Sequence, residues 1–235
     1  MSKQRLYAVG LATALSIAAQ TAMAVPVVAY EWTEGGPGNG TNSAFNSFHN
    51  AAGPVLADDF IPAISGQVVQ VDWWGGPGIV GAPNLWEITF HNDNSVGTPS
   101  FPFISQHLVN ATGTDADGDG VYFFSAAWNP MDTMINLATD NWFSVANAST
   151  NNWLWANAGG GAPTVGSELY DAVQSVGGLP SIVAGPHDGP WLATTAGQDF
   201  AFRIWVEPES VPEPPMLMLM ALGLAGLGFA RKIKM

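Results

Sequence analysis

Short β-rich segments, separated by glycine, proline, asparagine and aspartate, run through most of this 235-residue chain. Apolar and polar positions alternate over residues 69–73 and again over 86–90, which is typical of strands with one buried face. The pattern predicts strands at Val27–Trp32, Val68–Trp74, Leu85–Phe90, Phe103–Val109, Val121–Ala127, Asn141–Ala146, Trp153–Trp155 and Phe200–Val206. We therefore expect an all-β body over residues 25–206, an antiparallel β-sandwich or jelly roll. Its weakly patterned part, residues 156–198, is expected to hold long loops.

The first 24 residues have the pattern of a secretory signal peptide. A basic start at Lys3 and Arg5 precedes an apolar run, and the segment ends in small residues at Ala22 and Ala24. Small residues in this spacing are what signal peptidase reads. The alternative, an amphipathic helix that stays on the protein, lacks a polar face. We predict a signal helix over 1–24, cleavage after Ala24 and export of the body.

Residues 207–235 form a linker and a second segment with a different pattern. A Pro-containing motif over 211–214 is followed by an apolar run over 215–230 and a basic end over 231–235. The fifteen residues 216–230 carry no charge and would span about 22 Å as a helix, a marginal membrane crossing. The motif residues are Val211, Pro212, Glu213 and Pro214, and the basic stop is Arg231, Lys232 and Lys234.

This three-part ending resembles the PEP-CTERM sorting tail. The resemblance implies an exosortase as processing partner and a Gram-negative host that makes exopolysaccharide. It also implies that the protein passes through the inner membrane, is anchored there by its C-terminal helix, and then reaches the cell surface or extracellular matrix. An ordinary single-pass anchor is the alternative. Segments of the body such as Ala57–Phe60, Val71–Gly76 and Asn141–Asn147 resemble secreted bacterial β-sandwich domains, which implies a fold and no particular activity.

Charge and cysteine content exclude several classes of function. Residues 25–230 contain all 19 acidic residues and a single basic one, Arg203, which gives a formal charge of −18. Nucleic-acid binding is excluded because it needs lysine or arginine to neutralise phosphate. The chain has no cysteine, so disulfides, thiol nucleophiles and thiolate metal sites are excluded as well.

An aspartate-rich loop carries the clearest local motif of the body. Asp115, Asp117 and Asp119 alternate with small residues and lead to Val121, whose backbone carbonyl takes the next ligand position of a calcium loop. The twelfth position, where such loops place a glutamate, is Ala126. The loop is therefore a candidate calcium site with half a ligand set. The alternative is a polar hairpin turn, because aspartate and glycine are common in turns.

Ten tryptophans are a second source of candidate chemistry, since exposed indole rings stack on sugars. Most are expected to fill the core. Strand alternation places one of Trp73 and Trp74 on each face of a strand. The candidates for outward-facing, ligand-binding rings are Trp74, Trp153, Trp155 and Trp191.

Evidence for catalysis is weak, and we expect no enzymatic activity. Known nucleophile and zinc-protease motifs are absent from the sequence, and the adjacent pair Asp58 and Asp59 is interpreted as a solvated strand edge. The sequence thus predicts an exported structural or adhesive protein of an exopolysaccharide-rich envelope or biofilm, with calcium as the one candidate cofactor. A carbohydrate-binding module that uses exposed tryptophan is the alternative, and a secreted hydrolase is the third.

Overall fold

The described part of the chain consists of strands and connecting segments and contains no helix. The computed structural model describes residues 25–33, 42–46, 55–77, 82–100, 103–127, 133–137, 139–149, 153–159, 162–175, 191–194 and 198–208. All of these except Val25 belong to one unit, Pro26–Pro208. The strands are β1 (Val27–Trp32), β2 (Asn42–Asn46), β3 (Val55–Phe60), β4 (Gly66–Gly75), β5 (Asn84–Asn92), β6 (Ser105–Ala111), β7 (Tyr122–Ala127), β8 (Met134–Ile135), β9 (Asn141–Asn147), β10 (Leu154–Ala156), β11 (Val173–Ser175), β12 (Trp191–Ala193) and β13 (Phe202–Pro208).

Two antiparallel sheets contain these strands. The first has the order β1-β13-β4-β10-β2, and β7 and β8 also pair with the long strand β4. The second has the order β12-β11-β3-β9-β5-β6. The predicted all-β, antiparallel body is therefore confirmed. The predicted signal helix and C-terminal transmembrane helix lie outside the described residues.

Aromatic rings from both sheets meet in one core. Trp73 of β4 lies edge-on to Trp86 of β5 with ring centroids 5.3 Å apart, and Phe143 of β9 stacks on Phe202 of β13 at 4.9 Å. These pairs join opposite sheets, so the sheets pack face to face around them. Rings of this size dominate the apolar area that folding removes from water. The bulkiest fully buried side chains are Trp73, Trp86, Trp142, Trp153, Trp155, Tyr30, Phe60, Phe90, Phe124, Phe143, Phe200 and Phe202.

Strand β3 shows why some strands were not predicted. All six of its residues are buried, including two aspartates, so neither face shows an alternating pattern. The eight predicted strands are present with bounds shifted by at most two residues, whereas β2, β3, β8, β11 and β12 were missed. Strands β11 and β12 lie inside 156–198, where loops were predicted, and are only three residues long each.

Candidate functional site

The aspartate loop lies just before β7 and brings its three carboxylates together. One oxygen from each of Asp115, Asp117 and Asp119 lies within 4.8 Å of the others. Backbone hydrogen bonds between Thr114 and Phe123, of 3.0 and 2.9 Å, close the base of the loop. The predicted convergence of these three residues is therefore what the fold produces.

Hydrogen bonds within the loop fix its shape. The carboxylate of Asp115 accepts the backbone N–H of Gly118 at 2.7 Å and that of Gly120 at 3.1 Å. Both glycines have positive φ, 81° and 87°, a conformation that disfavours side chains. Asp119 Oδ1 accepts the N–H of Val121 at 2.8 Å.

The loop cannot complete a calcium shell from its own twelfth residue. Ala126 lies in β7 with only 7% of its surface exposed, and its side chain belongs to the core. Calcium takes six to eight oxygen ligands. Three aspartates on an exposed loop therefore leave ligand positions for water or for oxygens of another molecule.

The hairpin alternative for this loop is partly wrong. Thr114 and Phe123 do form an antiparallel bridge. However, β6 pairs with β5 in the second sheet and β7 pairs with β4 in the first, so the segment connects two sheets.

The structure corrects the prediction of outward-facing tryptophans. Trp153 and Trp155 are fully buried in the core, and the indole N–H of Trp155 donates to the carbonyl of Ala201 at 3.0 Å. Trp74 does point away from Trp73, but Val121, Ala156 and Ala201 cover it and leave 8% exposed. The prediction that Trp74 is exposed is wrong because neighbouring segments cover the outer face of the sheet at this position.

Trp191, the fourth candidate, lies on β12 and is partly buried. It packs against Val55 and Ala57, and its ring centroid is 6.0 Å from that of His91. A buried imidazole beside an indole does not form a free stacking platform.

The interpretation of Asp58 and Asp59 as a solvated strand edge is wrong. Strand β3 lies between β11 and β9, and both side chains are fully buried. Asp58 Oδ2 accepts the N–H of Phe200 at 2.7 Å. Asp59 accepts the N–H of Leu169 at 2.8 Å and of Tyr170 at 3.2 Å. These carboxylates hold backbone segments in place.

Further acids surround this pair. Burial, together with repulsion from Asp59, raises the pKa of Asp140 to about 7. Burial and the charge of Asp199 raise the pKa of Glu168 to about 8. Burial is also the first cause that raises the pKa values of Asp59 and Asp199 to about 6. No local sequence pattern reveals this group, because its segments are far apart along the chain.

Arg203 of β13 forms the described ion pairs of the body. Its guanidinium contacts Glu31 and, at 3.3 Å, Asp72, and it lies 5.5 Å from the ring centroid of Trp74. Asp72 also accepts the indole N–H of Trp205 at 2.7 Å. This arrangement occupies the single basic side chain of residues 26–208.

Comparison with known proteins addresses the C-terminal end. Residues 210–232 match the family described as the PEP-CTERM protein-sorting motif. The chain carries a PEP-CTERM sorting motif. No curated protein and no solved structure matches the chain significantly.

The PEP-CTERM motif indicates where the protein is sent and how it is processed. It implies an exported, membrane-anchored protein with an exosortase as processing partner. The match includes the predicted motif residues Val211, Pro212, Glu213 and Pro214 and the basic residues Arg231 and Lys232.

Several predicted residues at the two ends lie outside the described residues. They are the cleavage residues Ala22 and Ala24, all of the sorting-motif residues, and Arg231, Lys232 and Lys234. Within the described residues, no helix is long and apolar enough to span a membrane.

Proposed function

We propose that this PEP-CTERM protein is a structural and adhesive component of an exopolysaccharide-rich cell surface or matrix, and that it has no catalytic role. Calcium held at the aspartate loop bridges the protein to acidic groups of the polymer. The observation that carries this proposal is the convergence of Asp115, Asp117 and Asp119 within 4.8 Å on an exposed loop.

The negative charge of the body explains why a bridging cation would be needed. Residues 25–230 carry a formal charge of −18, so they repel an acidic polymer at low ionic strength. A divalent cation with carboxylate ligands from both sides reverses that repulsion locally. The loop suits this use because its own ligand set is incomplete and Asp117 is exposed.

The two competing functions have less support. Sugar stacking on tryptophan loses its main candidates, because Trp153 and Trp155 are fully buried and Trp74 is 8% exposed. A glycosidase-like hydrolase needs two carboxyl groups that flank a substrate. Asp58 and Asp59 instead bind backbone N–H groups of the protein itself.

The proposed route to the surface follows from the two ends of the chain. The signal peptide over 1–24 directs export, and signal peptidase removes it after Ala24. The C-terminal helix over 215–230 then holds the protein in the inner membrane until the exosortase acts. The processed protein remains at the surface or in the matrix.

A fluorescence titration tests the function directly. The full chain, solubilised in non-ionic detergent, is titrated with the host's exopolysaccharide in calcium and again in chelator. The ten tryptophans supply the signal. We expect saturable binding that requires calcium and is lost in the variant Asp117→Asn/Asp119→Asn but kept in the control Glu207→Gln. Binding that ignores the chelator, or no binding at all, would refute the proposal.

A further inference from the structure

Five carboxyl groups from four separate segments meet beside strand β3. Asp58 and Asp59 lie on β3 itself, Asp140 precedes β9, Glu168 belongs to the segment 162–172, and Asp199 precedes β13. We call these five residues the carboxyl cluster and the segment 162–172 the strap. Each of the five residues interacts electrostatically with at least one other member of the cluster.

The strap crosses from one sheet to the other and is held by the cluster. Its Val165 carbonyl accepts the N–H of Glu31 in β1 at 3.0 Å, and Ser167 exchanges hydrogen bonds with Ile61, just after β3, at 2.7 and 3.1 Å. Further along the strap, the N–H groups of Leu169 and Tyr170 donate to the carboxyl of Asp59 and favour its ionised form. The strap is therefore attached to the second sheet by the Asp59 carboxylate and by the backbone bonds at Ile61.

The cluster contains buried polar atoms that accept no hydrogen bond from any described residue. Glu168 Oε2, Asp199 Oδ1 and the hydroxyl of Tyr30 are buried with no hydrogen-bond partner within the described part of the chain. The ring of Tyr30 packs under the strap, 2.9 Å from where a Cβ on Gly166 would lie.

Asp140 places a second acid beside Asp59. Asp59 pairs with Trp142 across the ladder, so Asp140, two residues earlier than Trp142, is its diagonal neighbour on the same face. Both carboxyl oxygens of Asp140 are buried without a hydrogen-bond partner in the described part of the chain, and the charge of Asp59 contributes to its raised pKa. Two neighbouring carboxyl groups can share a hydrogen bond only when one of them carries a proton.

Among the described residues, no basic side chain can substitute for that proton. Arg203 is the only lysine or arginine in residues 26–208, and it is bound to Glu31 and Asp72. His91 of β5 is the one described histidine near this face, and burial lowers its pKa to about 4, so it is neutral at ordinary pH. The other groups that face the cluster are Tyr30, Asp93 and Asp171, none of them cationic.

We propose that the carboxyl cluster is a proton-operated latch for the strap. Protons on Asp140, Glu168 and Asp199 suppress the repulsion around the Asp59 carboxylate that binds the strap, and their loss releases the strap while the two sheets stay folded. The device makes the end of the sandwich closed in acid and open in alkaline surroundings.

The direction in which pH changes the stability of the strap follows from the linkage between proton binding and folding. Burial raises the folded-state pKa of these groups above their unfolded values, to about 6 for Asp59 and Asp199, about 7 for Asp140 and about 8 for Glu168. Groups shifted upward add stability that is complete below the unfolded pKa and is lost as pH rises through the folded pKa. The strap should therefore begin to loosen as pH rises above the unfolded pKa values of about 4, and the loss should be complete near pH 8, the folded-state pKa of Glu168.

Hydrogen exchange detects the latch. The full chain in detergent is exchanged at pH values from 5 to 9, and the protection of peptides covering the strap is normalised to the intrinsic rate at each pH. We expect strap protection to fall by about tenfold for each pH unit over which one proton is released. Peptides from β5 should keep their protection. The variants Asp140→Asn and Glu168→Gln should keep the strap protected to higher pH, and Glu207→Gln, outside the cluster, should follow the unmodified protein.

Three results would overturn the latch. The first is strap protection that does not change with pH. The second is parallel loss of protection in the strap and in β5, which would mean global unfolding. The third is strap loosening at pH 9 that millimolar calcium or magnesium prevents in the Asp117→Asn/Asp119→Asn background, because the cluster would then be a cation site.

Discussion

Calcium should raise the melting temperature of the protein through the aspartate loop, and the double substitution Asp117→Asn/Asp119→Asn should remove that effect. The substitution keeps the size of both side chains and the oxygen of Asp119 that accepts the Val121 N–H. Asp115 is left unchanged because it binds the N–H groups of Gly118 and Gly120 and so maintains the loop. The variant thus removes charge and keeps the shape.

The size of the effect follows from the incomplete ligand set. Weak extracellular calcium sites have Kd values of about 0.1–1 mM, and a site with three carboxylates and no glutamate belongs at the weak end. At about 10 mM calcium and a Kd of about 1 mM, binding stabilises the folded state by about 1.4 kcal/mol. For a unit the length of Pro26–Pro208 this is a rise of about 3–5 °C.

Intrinsic tryptophan fluorescence during heating measures this shift in the full chain. Calcium is compared with chelator, with sodium chloride added to equal ionic strength. The melting temperature in chelator gives a second test that is specific to the loop. In chelator the double variant should melt slightly above the unmodified protein, because the substitution relieves repulsion among carboxylates that lie within 4.8 Å. An equal calcium shift in both proteins, or none in the unmodified protein, would refute a calcium site at this loop.

Two core contacts give further predictions, each measured by chemical denaturation at pH 6. Trp155→Phe should lower the free energy of unfolding by about 1–3 kcal/mol, because it removes the hydrogen bond to Ala201 and part of a fully buried ring. An unchanged midpoint would contradict the assigned burial. Arg203→Met should destabilise more than Arg203→Lys, because methionine leaves the buried carboxylate of Asp72 without its cation, whereas lysine keeps a charge there. Equal losses would show that the charge of Arg203 contributes nothing.

The sequence predicts strands where one face is polar and fails where both faces are buried. In β5, alternating residues from Trp86 to Phe90 reveal the strand. In β3, two adjacent aspartates lower the apparent strand propensity, yet both are buried because other segments supply N–H partners. Those partners come from residues more than 100 positions away, and no local pattern contains them.

The same distinction separates the two groups of acids. The aspartate loop could be predicted because Asp115, Asp117 and Asp119 are close in sequence and meet through hydrogen bonds to their own backbone. The carboxyl cluster could not, since it forms only when β3, the strap and the start of β13 come together. The prediction that Trp74 is exposed was wrong for a related reason. Strand alternation predicts which face of the sheet a side chain lies on, whereas tertiary packing decides whether other segments cover that face.

A body with one basic residue must neutralise its buried acids in other ways, and the structure contains a different arrangement for each group. Asp72 is paired with Arg203, the carboxyl cluster has no basic partner within the described ranges, and the aspartate loop faces solvent. Protons suit the carboxyl cluster, because Asp58 and Asp59 are fully buried and a proton adds no volume to a packed interior. A hydrated divalent ion suits the exposed loop, because water and external oxygens can complete its shell. Acid and calcium should therefore stabilise the protein independently: the effect of pH should persist in chelator, and the effect of calcium should persist in Glu168→Gln. Loss of both effects in a single-site variant would mean that the two groups of acids are coupled and that this division is wrong.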